Sequence, residues 1–480
     1  MDDVIERGLD PEDWSEVRRE AHALLDDLLQ YTRDQRQRPA WQPMPAPLEA
    51  RFDAPLPEKG QGLATACRDF REWVLPYPTG NVHPRFWGWV MGCGDAVGML
   101  AEMAAAAMNC NVVGFDDAAT RVEAQAIRWL SEMLHFGPCS GLLVSGGSLA
   151  NLVGLAVARS TKAGFDVRQA GMAQSRDPLT LYASSEVHFS VQRAADLLGF
   201  GHAALRKIPV DAEYRIDLRA LAEAIRRDRA EGCRPVCVVG SAGTVNTSAI
   251  DDLSALADLA HREGLWFHID AAIGGWAALS PKLRHLVAGQ ERADSLGLDL
   301  HKWLQVPYGT GCVLLRDPQA HRAAFAYTAA YHSTVQRGVS GHATRFSELG
   351  PEQSRVFHAL KVWMCLKTHG VSAYRNVVEQ NVRQAQALAA RIHREPKLEL
   401  LCEPELNVVC FRHRGEGDTN VLNQEILYRL QESGAAVPSS TTLDGRFLLR
   451  VCISNHRTRT EDLSFLVDEV LRLGARISAA

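Results

Sequence analysis

Apolar side chains recur along the chain with two periods, and the change from one to the other divides it. Over residues 15–30, Val17, Leu24, Leu25, Leu28 and Leu29 fall on one side of a 3.6-residue spiral, which predicts an amphipathic helix. Pro39, Pro43, Pro45, Pro47, Pro55 and Pro57 follow within 19 residues. So many fixed φ angles and missing N–H donors read as a linker. A second amphipathic helix is predicted around 63–74, ending at the turn-rich Pro76-Tyr-Pro-Thr-Gly-Asn81. Residues 1–80 therefore read as helical arms with too little core to fold alone.

From about residue 95 short apolar runs alternate with helical spacing. The runs are Gly141 to Ser145, Leu181 to Ala183, Val236 to Gly240, Leu265 to Ile269, Ser295 to Leu298 and Cys312 to Leu315. Between them Val122, Ala126, Leu130 and Met133, and later Leu218, Leu221, Ala222 and Ile225, follow helical periods. Strands alternating with helices predict a mainly parallel α/β sheet covered on both faces, with functional groups at the carboxyl ends of its strands. The last 110 or so residues differ. A long helix carrying Val378, Val382, Ala385, Ala389 and Ile392 precedes short strands near 408–411 and 447–453 and a terminal amphipathic helix. The expected organisation is arms over 1–80, a large domain over 81–366 and a small α+β domain over 367–480.

Composition narrows the functional classes. Lys plus Arg at 52 against Asp plus Glu at 57, with neither sign in a block, argues against a nucleic-acid partner. The acidic amino terminus lacks the basic flank and apolar stretch of a signal peptide, and the apolar region 96–115 is cut by Glu102, Asn109 and Asn111. The expected address is the cytoplasm, with no membrane contact. The 11 cysteines are scattered and form no Cys-x-x-Cys pair, so they read as reduced and buried, with no structural metal site.

Four strand ends carry unusual polar groups. Asp299-Leu-His-Lys302-Trp precedes the Gly-rich Pro307-Tyr-Gly-Thr-Gly311. Lys302 is either a solvated surface lysine or a partly desolvated amine that attacks a carbonyl. Leu265-Trp-Phe-His-Ile ends in Asp270-Ala-Ala-Ile-Gly-Gly275. Asp270 either caps the next turn or holds a pyridine nitrogen protonated beside small residues that leave room for a flat ring. Val144-Ser-Gly-Gly-Ser148-Leu-Ala-Asn151 joins strand to helix, where Gly147 and its neighbours make an ordinary turn or converge N–H groups on one phosphate. Ser184-Ser-Glu-Val-His188 places an imidazole, structural or functional, over whatever that loop holds.

The order of phosphate loop, ring-facing histidine, aspartate and lysine resembles the group II pyridoxal-phosphate (PLP) decarboxylases, the family of the aromatic-L-amino-acid and glutamate decarboxylases. The matching segments are His83-Pro-Arg-Phe86, Gly146-Gly-Ser148, His188, His268-Ile-Asp-Ala-Ala272, Asp299-Leu-His-Lys302-Trp303, Tyr331 and Ala359-Leu-Lys-Val-Trp363. The resemblance spans roughly residues 15–475 and implies PLP fold-type I, the aspartate-aminotransferase-like architecture with a seven-stranded, mainly parallel sheet. It implies that Lys302 carries PLP through its ε-nitrogen, that Asp270 pairs with the pyridine nitrogen and that His188 stacks on the ring. Gly147, Ser148, the neighbouring amides and His301 take the phosphate, and Thr244 and Ala272 line the cofactor. Tyr331, on a Gly-rich lid, returns a proton to Cα, with Tyr327 as a rival; Trp89 and Phe115 line the substrate. The implied partners are an amino acid, favoured as aromatic because the substrate wall is large and uncharged, and a second copy of the chain, on which the arms pack.

Two departures stand out. The family often has a hydroxyl residue where Gly146 stands and often asparagine where Asp299 stands, and an anionic Asp299 beside a phosphate must turn away or find a cation. The implied reaction releases CO2 and an amine. Three rivals remain: an oxidative aldehyde synthase on the same scaffold, an aminotransferase using Arg450 as a carboxylate clamp, and a catalytically silent PLP-binding protein.

Overall fold

The computed structural model describes residues 8–327, 338–340, 344–415 and 417–479. A two-residue strand, β1 (Phe86–Trp87), leads into the main body. The large sheet is built from β2 (Ser140–Val144), β3 (Leu179–Ser184), β4 (Leu205–Ile208), β5 (Arg234–Ser241), β6 (Trp266–Asp270), β7 (Ser295–Asp299) and β8 (Gly311–Leu315). Its order is β2-β8-β7-β6-β5-β3-β4. The pairs joining β4, β3, β5, β6 and β7 are parallel, and β8 runs antiparallel to both β7 and β2. Six strands therefore point the same way and present their carboxyl ends along one edge of a mainly parallel sheet. This is the fold-type I architecture that the sequence implied.

The strands form where continuous apolar runs can be buried on both faces. β2, β3, β7 and β8 are buried along almost their whole lengths, as sheets sandwiched between helices must be. The helix Gly147–Lys162 crosses one face, burying Ala150, Val153, Leu155 and Val157. Two glycines set how closely it lies: a Cβ at Gly154 would come within 2.8 Å of the His268 ring, and one at Gly297 within 2.2 Å of Asn151 Oδ1. Helices Leu218–Ala230 and Leu253–Glu263 start at Asp217 and Asp252, whose carboxylates accept first-turn N–H groups.

A second sheet, ordered β1-β11-β12-β10-β9, joins β1 to β9 (Leu398–Leu400), β10 (Val408–His413), β11 (Val437–Leu443) and β12 (Arg446–Cys452). It has its own core, where Phe411, Leu449 and Val451 meet Leu388 and Ile392 of the helix Ala359–His393 and Leu466 and Val470 of the helix Thr460–Ser478. All five apolar positions anticipated on the long helix are buried. The amino-terminal helix Trp14–Arg33 fully buries no residue, and Trp14 and Leu29 on it are exposed. Among the described residues no helix is long and apolar enough to cross a membrane.

Candidate active site

The carboxyl ends of β2, β3, β5, β6 and β7 converge on a cavity of about 420 Å³. Gly147, Ser148, His188, Thr244, Asp270, Ala272, His301 and Lys302 all line it, so chain segments 155 residues apart meet as anticipated. The small residues Gly243 and Ala272 widen it beside Asp270.

Asp270 ends β6 with its carboxylate oriented from behind. Oδ2 accepts Asn151 Nδ2–H at 2.9 Å and Oδ1 accepts the Ala272 N–H at 3.2 Å. Asn151 is fully buried one turn into the helix Gly147–Lys162, and its remaining contacts fix its amide. Its Nδ2 also donates to Ser190 Oγ at 3.0 Å, and its Oδ1 accepts from His268 Nε2 at 3.0 Å. Burial pushes the His268 imidazole down to about 4, so it is neutral and donates from Nε2 while Nδ1 meets Ser295 Oγ at 2.8 Å. Ser190 carries the network onward, contacting His188 Nδ1 at 2.7 Å with Oγ and donating its backbone N–H to the same nitrogen. Nδ1 is thereby the acceptor, and the proton of the neutral ring stays on Nε2. Burial, only partly offset by Asp270, lowers the His188 pKa and keeps that ring uncharged. A continuous hydrogen-bond chain thus links Asp270 to His188.

Lys302 follows β7 on the turn leading to β8. Its Nζ pairs with Asp299 Oδ2 at 2.7 Å, and Asp299 Oδ1 accepts the Gly147 N–H at 2.6 Å. Burial alone would raise the Asp299 pKa, but Lys302, His301 and the Gly147 N–H outweigh it and hold the carboxyl below its ordinary value. Asp299 thus found a cation, as its sequence position required, and it did not turn away. Tyr308, which the sequence reading passed over, stacks on His301 with centroids 4.5 Å apart. Gly92 closes this side, since a Cβ there would lie 2.0 Å from the His301 carbonyl oxygen.

An adjoining cavity of about 560 Å³ shares Val90, His188, Val245, His301, Lys302 and Tyr308 and is otherwise walled by Trp89, Met91, Glu186, Phe189 and Arg450, among others. Arg450 is not free to clamp a carboxylate. Its guanidinium donates to the carbonyls of Val245, Asn246 and Trp89 and to Ser439 Oγ. Phe115, expected on the substrate wall, lines neither cavity. The reason is local: a Cβ at Gly114 would lie 2.2 Å from the Thr344 carbonyl oxygen, and Ser347 N–H donates to the Val113 carbonyl, pinning this segment against 344–347. Tyr331 lies outside the described residues. Tyr327 is 77% exposed and lines neither cavity.

Residues 45–414 match the family described as the pyridoxal-dependent decarboxylase conserved domain. The chain belongs to the pyridoxal-dependent decarboxylases. Relatives include an aromatic-L-amino-acid decarboxylase of Bacillus atrophaeus, 35% identical over 431 residues and 88% of each chain. A phenylacetaldehyde synthase of Petunia hybrida is 27% identical over 93% of this chain and 91% of its own. Among solved structures, the Oryza sativa TDC with PLP and tryptamine superposes with a TM-score of 0.89 at 26% identity, covering 98% of this chain and 100% of that one.

The cofactor of this decarboxylase is pyridoxal phosphate, and the cavity suits it. Asp270 keeps lone pairs toward the cavity after accepting its two supporting donors, Lys302 supplies an amine, and Ala272 and Gly243 leave room for a flat ring. The helix start at Gly147 offers backbone N–H groups at the positive end of a 16-residue helix. Glycine matters at this point, because a Cβ on Gly147 would fill the seat, 2.7 Å from Asp299 Oδ2.

Proposed function

We propose that the chain decarboxylates an aromatic L-amino acid to the corresponding amine and CO2, with Lys302, His188, Asp270 and Tyr331 as its catalytic residues. The observation that carries this reading is the meeting of Lys302, Asp270 and the Gly147 helix start in one cavity. Lys302 would hold the cofactor, Asp270 its pyridine nitrogen, Gly147, Ser148 and His301 its phosphate, and Thr244 and Ala272 would flank it. When bound, pyridoxal phosphate supplies a protonated pyridine ring that accepts the electron pair left at Cα as the carboxylate departs.

The chain's own residues supply the rest. Asn151 and the Ala272 N–H hold the Asp270 carboxylate in one orientation, so it keeps a proton on the ring nitrogen without reorganising. Neutral His188, with its proton fixed on Nε2, orients the substrate carboxylate across the ring. Tyr331 returns a proton to Cα. An aromatic side chain suits the adjoining cavity, where Trp89, Phe189 and Tyr308 give apolar surface and Glu186 would repel an acidic substrate. With the guanidinium of Arg450 engaged, the described residues of that wall offer no free cation for a side-chain carboxylate, and this speaks against the aminotransferase reading.

A panel of L-amino acids with CO2, amine, aldehyde and peroxide all quantified tests the proposal. Aromatic substrates are expected to give equimolar amine and CO2, and Lys302→Ala to abolish both turnover and the visible absorbance of bound cofactor. Equimolar peroxide and aldehyde would move the chain to the synthase reading favoured by the Petunia relative. Cofactor binding without turnover on any amino acid would make it a silent PLP-binding protein.

The working form is a cytoplasmic homodimer. The support is an apolar surface that one chain leaves open: Trp14 is 64% exposed, and Leu9, Phe52, Leu56 and Val74 project similarly from the amino-terminal region. Phe115, withdrawn from its own chain's cavities, would serve the partner's site. Light scattering should report a dimer, and a fully active monomer would refute it.

A further inference from the structure

The cavity holds its own anion where the cofactor's phosphate is to bind. Asp299 is 4% exposed, its Oδ1 takes the Gly147 N–H at 2.6 Å and its Oδ2 takes Lys302 Nζ at 2.7 Å. One carboxylate therefore occupies two sites that cofactor loading needs, the first N–H of the helix Gly147–Lys162 and the amine. His301 Nε2 stands 3.5 Å from Oδ1, and burial lowers the pKa of that imidazole. Among the described residues lining the cavity, Lys302 is the only lysine or arginine.

We propose that Asp299 is a built-in competitor for the cofactor phosphate, a positioning residue that fills the anion seat and holds Lys302 in the cofactor-free chain and so weakens phosphate capture. This inference rests on the cofactor assignment above. Two anions compete for one helix start, and a carboxylate carried by the chain competes without losing translational freedom. When the phosphate takes the Gly147 N–H, Asp299 gives up that donor. The pair then stands as two anions in a buried site whose single fixed cation is the amine that the cofactor also needs. Affinity for the phosphorylated cofactor is thereby set lower than the backbone cradle alone would give.

The test compares wild type with Asp299→Asn, prepared free of cofactor and titrated with pyridoxal phosphate and with pyridoxal, which lacks the phosphate. Asparagine keeps the shape and removes the charge. The ratio of the two dissociation constants isolates the phosphate seat from any change at the amine. It is expected to favour pyridoxal phosphate at least tenfold more in Asp299→Asn than in wild type. Inorganic phosphate should raise the thermal midpoint of the cofactor-free variant and leave cofactor-free wild type unmoved. An unchanged ratio, or a variant that discriminates less well, overturns the proposal. Asp299→Ser provides a second charge-free side chain, and if neither variant folds the carboxylate is a structural requirement and the competitor role fails. Wild type binding neither compound would instead sink the cofactor assignment for this cavity.

Discussion

Asn151 shows how one side chain without reactive chemistry can govern a reactive centre. It donates to Asp270 and Ser190 and accepts from His268, so replacing it removes support from both the carboxylate and the imidazole. Asn151→Leu keeps the volume but leaves the fully buried His268 Nε2–H without a partner. A buried orphaned donor costs roughly 1–3 kcal/mol, which urea unfolding should report. Loss of a hydrogen bond to the charged Asp270, worth about 1.5–3 kcal/mol, should lower kcat/KM about ten- to a hundredfold in steady-state assays of the cofactor-loaded enzyme. A kcat/KM within twofold of wild type would show that Asp270 needs no orienting partner. The residues at strand ends were legible in the sequence because a polar group directly after an apolar run is conspicuous. Asn151 stood in the quoted glycine-rich segment, yet its role was hidden. Only its four-residue spacing from Gly147, one helical turn, hinted that it faces the same cavity. Phe115 misled for the converse reason, since its place depends on where residues 344–347 pack.

At the scale of elements, close approach decides what the site can tolerate. The segment around Gly92 lies against the turn carrying Lys302, and a Cβ at position 92 would meet the carbonyl oxygens of His301 and Lys302 at 2.0 and 2.6 Å. Gly92→Ala must push that turn away, so cofactor retention measured after gel filtration should fall by at least tenfold with global helix content unchanged. Full retention would mean that the turn moves freely. Strands buried on both faces were legible as apolar runs, whereas four others, β1, β4, β9 and β11, were not. β4 reads Leu205-Arg-Lys-Ile208 at the sheet edge, with two charged residues between its apolar ends. β11 contains Pro438 and four consecutive Ser and Thr residues, and β1 has only two residues. The face of the helix Leu218–Ala230 also departs from its apolar spacing. Leu221, Ala224, Ile225 and Asp228 are buried, and Ala222 is exposed. Asp228 earns that place by accepting from Tyr182 Oη at 2.6 Å and Arg206 Nε at 3.1 Å, which a purely apolar period cannot register.

For the whole molecule, buried histidines set the acid limit. Burial pushes His83, His268 and His321 down to about 4, each at most 2% exposed. Unfolded histidine titrates near 6.5, so between about 6.5 and 4 the unfolded chain binds more protons and stability falls as pH falls. Each contributes up to about 3 kcal/mol, present above pH 6.5 and lost as pH falls through 4. Buried carboxyls work in the opposite direction, Asp251 raised to about 6 and Glu123 and Asp294 raised as well, against five imidazoles once His358 and His456, also pushed down to about 4, are counted. Urea midpoints should therefore decline steadily from pH 7 to 4.5, and a flat profile would contradict neutral burial of these rings. The reversed direction of β8 has a consequence on the same scale. Asp299 and Gly311 sit directly across from each other, and the Leu300 and His301 N–H groups both bond the Thr310 carbonyl. The reactive amine thus rides on a handle clasped at its base, and prising that handle open means tearing two neighbouring interior strands of the sheet apart. Coenzyme exchange must then proceed by swinging side chains, and amide exchange across the clasp should be as slow in the empty protein as in the loaded one.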